Sequence, residues 1–315
     1  MKQNKIKIAI IGRSELLFKT AISIKEMGFE IPLVVTAKEA PEYKVKSSDF
    51  KNFADKCNAT FIHTAKINKA EYIEQIKACG PIDIAVSINY NGIIAQEVID
   101  LFPLGILNAH GGDLPRYRGN ACQAWAIING EEKIGMCIHK MRGGELDNGD
   151  IIARGYYQLL DTTRIVEVYD WMETCIPELM SSAIDSISKN TNFILDKQSE
   201  DPKDTLRCYP RNQDDGKIDW NKSAVGIDRL IRASSEPFSG AFCYLDEQKL
   251  TIWRAQLVYD EEIYLSSVGQ VAGISSTGIE VITSSGKLRL LEIEYNGVRT
   301  TEPNQIIKSI RKRLK

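Results

Sequence analysis

Short, nearly continuous apolar runs alternate with stretches of helical periodicity through the first half of the chain, and that rhythm constrains the fold most. IKIAII near the start, IPLVVTA, IDIAVSI and GILNAH are rich in β-branched residues, and the segments between them repeat their apolar residues at helical spacing. Strands alternating with helices predict an α/β domain with a largely parallel sheet. Helices on both faces of such a sheet explain why the strands are continuously apolar rather than alternating. The first strand ends as IIGRSELL, without the GxGxxG phosphate turn, so a dinucleotide cofactor is not supported.

The texture changes further on. A helical pattern capped at Thr162 or Thr163 runs to about Ser188, with Pro177 as a point for a kink, and the polar KNTNFILDKQSEDPKD follows. Beyond it come the helical pattern SAVGIDRLIRA, a hairpin in FCYLDEQKLTIWRAQLV, and short strands punctuated by Gly and Ser. These predict a Rossmann-like domain over 1–190, a linker over 191–206 and a small OB-like β-barrel domain over 207–315. The closing IRKRLK is read as the solvated end of a helix, where cations are favourable.

A net charge of -2 and a pI near 6.1 give no bulk attraction to nucleic acid or anionic membranes. No segment approaches membrane-spanning length, and the apolar run at the N-terminus is too short for a signal peptide. Seven scattered cysteines without a CxxC pair read as reduced thiols of a cytoplasmic protein, not as a zinc or redox site.

Chemistry concentrates in LNAHGGDLPRYRG, residues 107–119, which holds one of only three histidines. Period-2 alternation puts Asn108 and His110 on one strand face, at the carboxyl end where open α/β sheets bind ligands. Gly111 and Gly112 allow close backbone approach. Downstream, IGMCIHKM reads as a strand, and RGGELDNGDII offers Asp147 or Asp150 as a carboxylate partner for His110. Histidine, carboxylate and amide together suit acyl transfer to an external nucleophile, since no GxSxG elbow is present. A metal site from His110, His139, Asp113 and Asp147 lacks HxH or HxxxH spacing, and His139 reads as structural.

These residues resemble the N10-formyltetrahydrofolate-dependent formyltransferases. The resemblance runs through NAHGGDLPRYRG, AWAIINGEEKIGMCIHKM and LDNGDII, then RNQDDGKIDW, IRASSEPFSGAF and LTIWRAQ. It implies N10-formyltetrahydrofolate as formyl donor, no metal, and a catalytic trio of Asn108, His110 and Asp147. It also implies folate contacts, largely through backbone, from Ser87, Ile88, Asn89, Tyr90, Asn91, Gly92, Ile93 and the region of Leu146. Where relatives carry His-Gly-Ser-Leu-Leu-Pro, this chain has His-Gly-Gly-Asp-Leu-Pro: Gly112 replaces a serine and Asp113 an apolar residue. Asp113 is a candidate for attracting a substrate ammonium, with a turn-former as the alternative. Arg211 is a candidate diphosphate contact, with an ion pair as the alternative.

Two branches of the family compete for the acceptor. KEAPEYKVKSSDF, after the second strand, is of mixed charge and lacks glycine, unlike the basic, glycine-rich insertion of methionyl-tRNA formyltransferases. SEPFSGAFCYLDEQKLTIW and CYPRNQDDGKIDW are similar to the formyltransferase domain that acts on UDP-4-amino-4-deoxyarabinose in lipid A modification. This similarity favours a nucleoside-diphosphate amino sugar as partner, in a cytoplasmic enzyme of lipopolysaccharide or O-antigen biosynthesis that could be a homodimer, with no nucleic acid or membrane partner. Methionyl-tRNA formylation and a non-catalytic folate or nucleotide sensor are the alternatives.

Overall fold

A computed structural model describes residues 6–41 and 43–315. The chain divides into two compact units, and both are discontinuous in sequence: the first comprises the chain up to Gly119, Ile134–Tyr157 and Asp170–Cys208, the second Asn120–Lys133, Gln158–Tyr169 and Tyr209–Lys315.

In the first unit, β1 (Lys7–Gly12), α1 (Glu15–Glu26), β2 (Glu30–Thr36), α2 (Ser47–Cys57), β3 (Thr60–His63), α3 (Ala70–Ala78), β4 (Ile84–Ile88), α4 (Gln96–Ile99) and β5 (Ile106–His110) follow the expected alternation. The short β6 (Arg118–Gly119) comes next, then α5 (Cys122–Asn129), which groups with the second unit. β7 (Lys133–Lys140), β8 (Ile151–Gln158), α6 (Ile165–Lys189), which continues through Pro177, and β9 (Arg207–Cys208) complete this half.

The seven strands of the main sheet are ordered β3-β2-β1-β4-β5-β7-β8. β1 to β5 pair in parallel, and β7 joins β5 antiparallel. Ala9 and Ile11 of β1 pack into a core with Leu33, Ile73, Ile76 and Phe102, while Ile8 and Ile10 are fully buried on the opposite face. Each such isoleucine contributes roughly 1.5–3 kcal/mol, which is why these strands read as unbroken apolar runs. Gly12 closes β1 where a Cβ would overlap the Ile88 carbonyl of β4, so only glycine lets the two strand ends approach.

Residues 191–206, expected as a linker, are fastened within the first unit. Ile151 donates its N–H to Asp196 O at 2.8 Å, Leu195 donates back to Ile151 O at 2.9 Å, and Gln198 is 9% exposed.

The second unit holds α7 (Ala224–Ser234), capped by Ser223 Oγ on Gly226 N–H, and the strands β10 (Ala241–Leu245), β11 (Gln248–Val258), β12 (Val271–Ser275), β13 (Gly278–Ile282), β14 (Lys287–Tyr295) and β15 (Val298–Thr300). They form an antiparallel sheet in the order β10-β11-β14-β13-β12, with β15 on β14. Asp246 and Glu247, both at positive φ, make the two-residue turn of the β10–β11 hairpin. Ile227 and Ile231 of α7 pack with Leu250, Ile252, Leu288 and Leu290 in its core.

The basic tail corrects one expectation. IRKRLK is not a helix end: Tyr244 and Lys315 exchange main-chain hydrogen bonds at 2.8 and 2.9 Å, Val271 donates to Lys312 O, and Leu314 donates to Gly269 O. The segment thus bonds to β10 and to β12, the two end strands of the sheet order, and Leu314 is 2% exposed beside them. Alternation explains the composition, because Leu314 turns into the core while the charged residues beside it face water.

Candidate active site

β5 carries Asn108 and His110 on one face, and its neighbours set what faces them. In the parallel register Ser87 of β4 lies opposite Asn108; in the antiparallel register His139 of β7 lies opposite Asn108 and Cys137 opposite His110. The loop after β7 brings Asp147 over this end of the sheet, 3.5 Å from His110 Nδ1 and 3.6 Å from His139 Nε2. Asn108 Nδ2 is 3.4 Å from His139 Nε2. The expected trio therefore converges, and His139, read from sequence as structural, stands inside the cluster. Only the β5–β7 register could have revealed that, and spacing along the chain does not encode it.

Both nitrogens of His110 face oxygen acceptors, Nε2 the Tyr117 carbonyl at 2.6 Å and Nδ1 the Asp147 carboxylate at 3.5 Å, so a neutral ring satisfies one of them and a protonated ring both. His139 Nδ1 lies 3.0 Å from the Lys140 carbonyl. Burial holds the His110 pKa below its ordinary value, against the opposing pull of Asp147 and the Tyr117 carbonyl. Burial would raise Asp147, but the neighbouring His139 and His110 rings and the Gly119 N–H outweigh it and hold the carboxyl at about 2. Asp147 is thus an anion beside a neutral imidazole, a pair prepared to receive one proton.

The following loop is wound tightly around His110. A Cβ on Gly112 would come within 2.7 Å of His110 Nε2 and closer still to the Tyr117 carbonyl. Asp113 turns to β8, where Arg154 bonds its carboxylate, the Leu114 carbonyl at 2.9 Å and Asp196 at 3.4 Å. Beside this pair opens a cleft of 890 Å³ lined by Asp113, Arg116, Arg154, Tyr156 and residues of the segment 196–206. Asn108, His110 and Asp147 do not line it.

The expected folate residues occupy the carboxyl end of β4. Ser87 and Ile88 are buried in the strand, and Tyr90 is tied by its hydroxyl to Thr64 O and Ile67 N–H. Asn89, at positive φ, bonds Ser14 Oγ through Nδ2. Gly92 lies where a Cβ would overlap Ala65, and the Ile93 carbonyl is held by Asn68. Ile93 is left 80% exposed and Leu146 45% exposed, and Gly143 N–H, in the loop that carries Leu146, donates to Gln96 Oε1 at the start of α4 at 2.8 Å. Asn91 is an exposed residue of the same loop as Ile93. Two open apolar side chains among fixed main-chain groups suit a flat heteroaromatic ring with polar edges.

Arg211 belongs to the second unit. Its guanidinium stacks 5.6 Å from the Trp125 ring centre and donates to Asp215 O and Ser234 Oγ, both at 3.1 Å. Among the described residues, no group of three or more His, Cys, Asp or Glu is placed to hold a metal ion.

The chain is similar to known proteins over most of its length. Residues 4–184 match the formyl transferase family, and residues 211–311 match the formyl transferase C-terminal domain. The methionyl-tRNA formyltransferase of Ruminiclostridium cellulolyticum is 27% identical over 308 residues, 96% of each chain. That of Acetivibrio thermocellus is 28% identical over 297 residues, 93% of each chain. Among solved structures, the sugar 3N-formyltransferase WlaRD, determined in the presence of dTDP and 5-N-formyl-THF, superposes with a TM-score of 0.64. It is 20% identical, and the match covers 92% of this chain and 98% of that one. The N-formyltransferase of Helicobacter canadensis, in complex with folinic acid and dTDP-3-aminofucose, gives a TM-score of 0.65 at 17% identity, over 90% of this chain and 98% of that one. With both of its halves matched and the histidine, carboxylate and amide gathered at the end of β5, the chain belongs to the formyl transferase family and is a formyltransferase.

Proposed function

We propose that this formyltransferase moves the formyl group of N10-formyltetrahydrofolate to the amino group of a nucleotide-linked amino sugar. The donor supplies the activated formyl carbon. His110 accepts the proton that the amine loses as its nitrogen bonds that carbon, and the proton passes to the donor nitrogen as its bond to the formyl carbon breaks, releasing tetrahydrofolate. In between, the added proton gives an imidazolium flanked by the Tyr117 carbonyl and the Asp147 carboxylate, both acceptors. Unit charges at 3.5 Å attract by roughly 5 kcal/mol at an effective dielectric of about 20, which offsets the burial that keeps the resting ring neutral. Asn108, on the same strand face, donates to the formyl oxygen as negative charge grows there. Ser87, Ile88, Asn89, Tyr90, Asn91, Gly92, Ile93 and Leu146 form the donor's seat.

The observation that carries the choice of acceptor is the short connection between β2 and α2. Glu15 accepts the main-chain N–H groups of Lys44 and Val45, and Asp49 accepts that of Lys46, so this segment folds back on the helices that flank it. Lys38, Lys44 and Lys46 share this segment with Glu39 and Glu42, a mixed charge that makes a poor cationic arm for a phosphate backbone. The structural relatives with bound nucleotide or nucleotide sugar are of nearly this chain's length. Asp113, side chain 34% exposed at the rim of the cleft, contacts the acceptor in this reading, and a cytoplasmic step in surface-polysaccharide assembly would consume the product.

The sequence relatives support a second reading, formylation of methionyl-tRNA. One panel separates the two. Purified protein is incubated with N10-formyltetrahydrofolate and, in parallel, dTDP- and UDP-linked amino sugars and methionyl-tRNA. Mass spectrometry of the products should show one formyl group added to an amino-sugar nucleotide. Formylation of the tRNA alone refutes the proposal, and absence of turnover with every acceptor points to a sensor.

A further inference from the structure

We propose that Gln198 is a positioning residue for formyl transfer, clamping the turn that carries Asp147 so that its carboxylate stays against His110. The proposal rests on the reading that Asp147 and His110 handle the proton.

Asp147 sits at φ 50°, in the left-handed region that a non-glycine residue enters only when its surroundings impose it. Gln198 supplies that constraint. Its amide Nε2 donates both hydrogens, to Asp147 O at 2.9 Å and Gly149 O at 2.6 Å, so it holds the turn from two sides. Its Oε1 accepts from Arg118 Nη2 at 2.9 Å. The next residue, Gly119, donates its N–H to Asp147 Oδ2 at 2.9 Å. A closed ring results, running from the Asp147 main chain through Gln198, Arg118 and Gly119 to the Asp147 carboxylate. β6, which supplies Arg118 and Gly119, is itself paired to β9, so that side of the ring is anchored on backbone. Gln198 touches none of the three expected catalytic side chains; it acts on the main chain beneath one of them. The amide is the group this task needs, because two carbonyls require two donors on one atom and a cation requires an acceptor beside them.

The chain's three histidines make the test direct, since each imidazole can be followed by NMR on the full-length protein without any acceptor. The groups facing His110 are Asp147 from its loop, His139 from β7, Arg118 and the Tyr117 carbonyl. Asp147 raises the His110 pKa, so Gln198→Ala should lower it, in the direction shown by Asp147→Asn. With the acceptor found by the panel above, kcat should fall by roughly ten- to a hundred-fold with KM for the formyl donor little changed. The double variant should be no worse than Asp147→Asn alone. Gln198→Met, close to glutamine in size, guards against loss of folding. An unchanged His110 titration in Gln198→Ala or Gln198→Met overturns the proposal, as does additivity with Asp147→Asn. So does unfolding of both variants while Asp147→Asn folds. Wild-type kcat in Asp147→Asn refutes the catalytic reading instead, and the titration still decides whether Gln198 holds the carboxylate.

Discussion

Restoring the serine that relatives carry at position 112 should harm this protein. The Gly112 backbone is not among the positive-φ positions, so a side chain meets no conformational penalty there, only the space around it. That space is occupied: a Cβ would press on the Tyr117 carbonyl and lie 2.7 Å from His110 Nε2, which are themselves hydrogen-bonded at 2.6 Å. The Tyr117 side is main chain at positive φ, so the loop has to yield as a unit. Overpacking of this kind costs roughly 1–3 kcal/mol. Separating the His110–Tyr117 hydrogen bond adds about 1 kcal/mol. Gly112→Ser and Gly112→Ala should therefore lose roughly 2–4 kcal/mol, a fall in Tm of roughly 4–8 °C by calorimetry. In both variants kcat should drop, because the imidazole is turned away from Asp147. A Tm within about 1 °C of wild type and a kcat within about two-fold would refute the reasoning, since steric contact near this magnitude cannot be silent. The loop would then have a conformation other than the one described, with Tyr117 O not bonded to His110.

Asp113→Asn should raise KM for the acceptor amine several-fold while sparing kcat, measured by steady-state kinetics; an unchanged KM would confine Asp113 to its pairing with Arg154. Arg211→Ala should lower stability by on the order of 1–2 kcal/mol in urea unfolding, because main-chain carbonyls and a stacked tryptophan lose their partner. An unchanged stability with a raised KM for the nucleotide acceptor would return Arg211 to the diphosphate role. Asp147, held at about 2 against about 3.9 when unfolded, adds stability above about pH 4 that is lost as pH falls toward 2. The contribution is on the order of 2 kcal/mol, so unfolding free energies of Asp147→Asn between about pH 4 and pH 2 should depend less steeply on pH than those of wild type. An equal slope would place Asp147 away from its histidine partners.

The α/β half was legible because a strand buried on both faces must be apolar at every position, and IAIIG and IDIAVSI show that without any tertiary information. Asn108 and His110 were legible as a pair for a similarly local reason: two residues apart on a strand means one face. The family pattern then supplied Asp147, which nothing local connects to β5.

Several features depended on contacts between segments distant in the chain. His139 became part of the cluster through the antiparallel register of β7 on β5, and register is a property of two strands together. Gln198 lay in a polar stretch that reads as a linker, since neither its composition nor its periodicity records that the amide caps two carbonyls fifty residues upstream. IRKRLK has the charge of a helix terminus, yet its main chain bonds to β10 and β12. Asp113 reads from sequence as a lone acidic side chain, and only the fold shows Arg154, forty-one residues on, paired with it at the rim of a cleft. Periodicity and local spacing follow from how one chain segment meets water and its neighbours, so the sequence alone determined the strands, the helices and the face carrying Asn108 and His110. Which groups face the two nitrogens of His110, and what holds Asp147 in its turn, was decided only by tertiary structure, because each depends on a carbonyl, carboxylate or amide delivered from elsewhere in the chain.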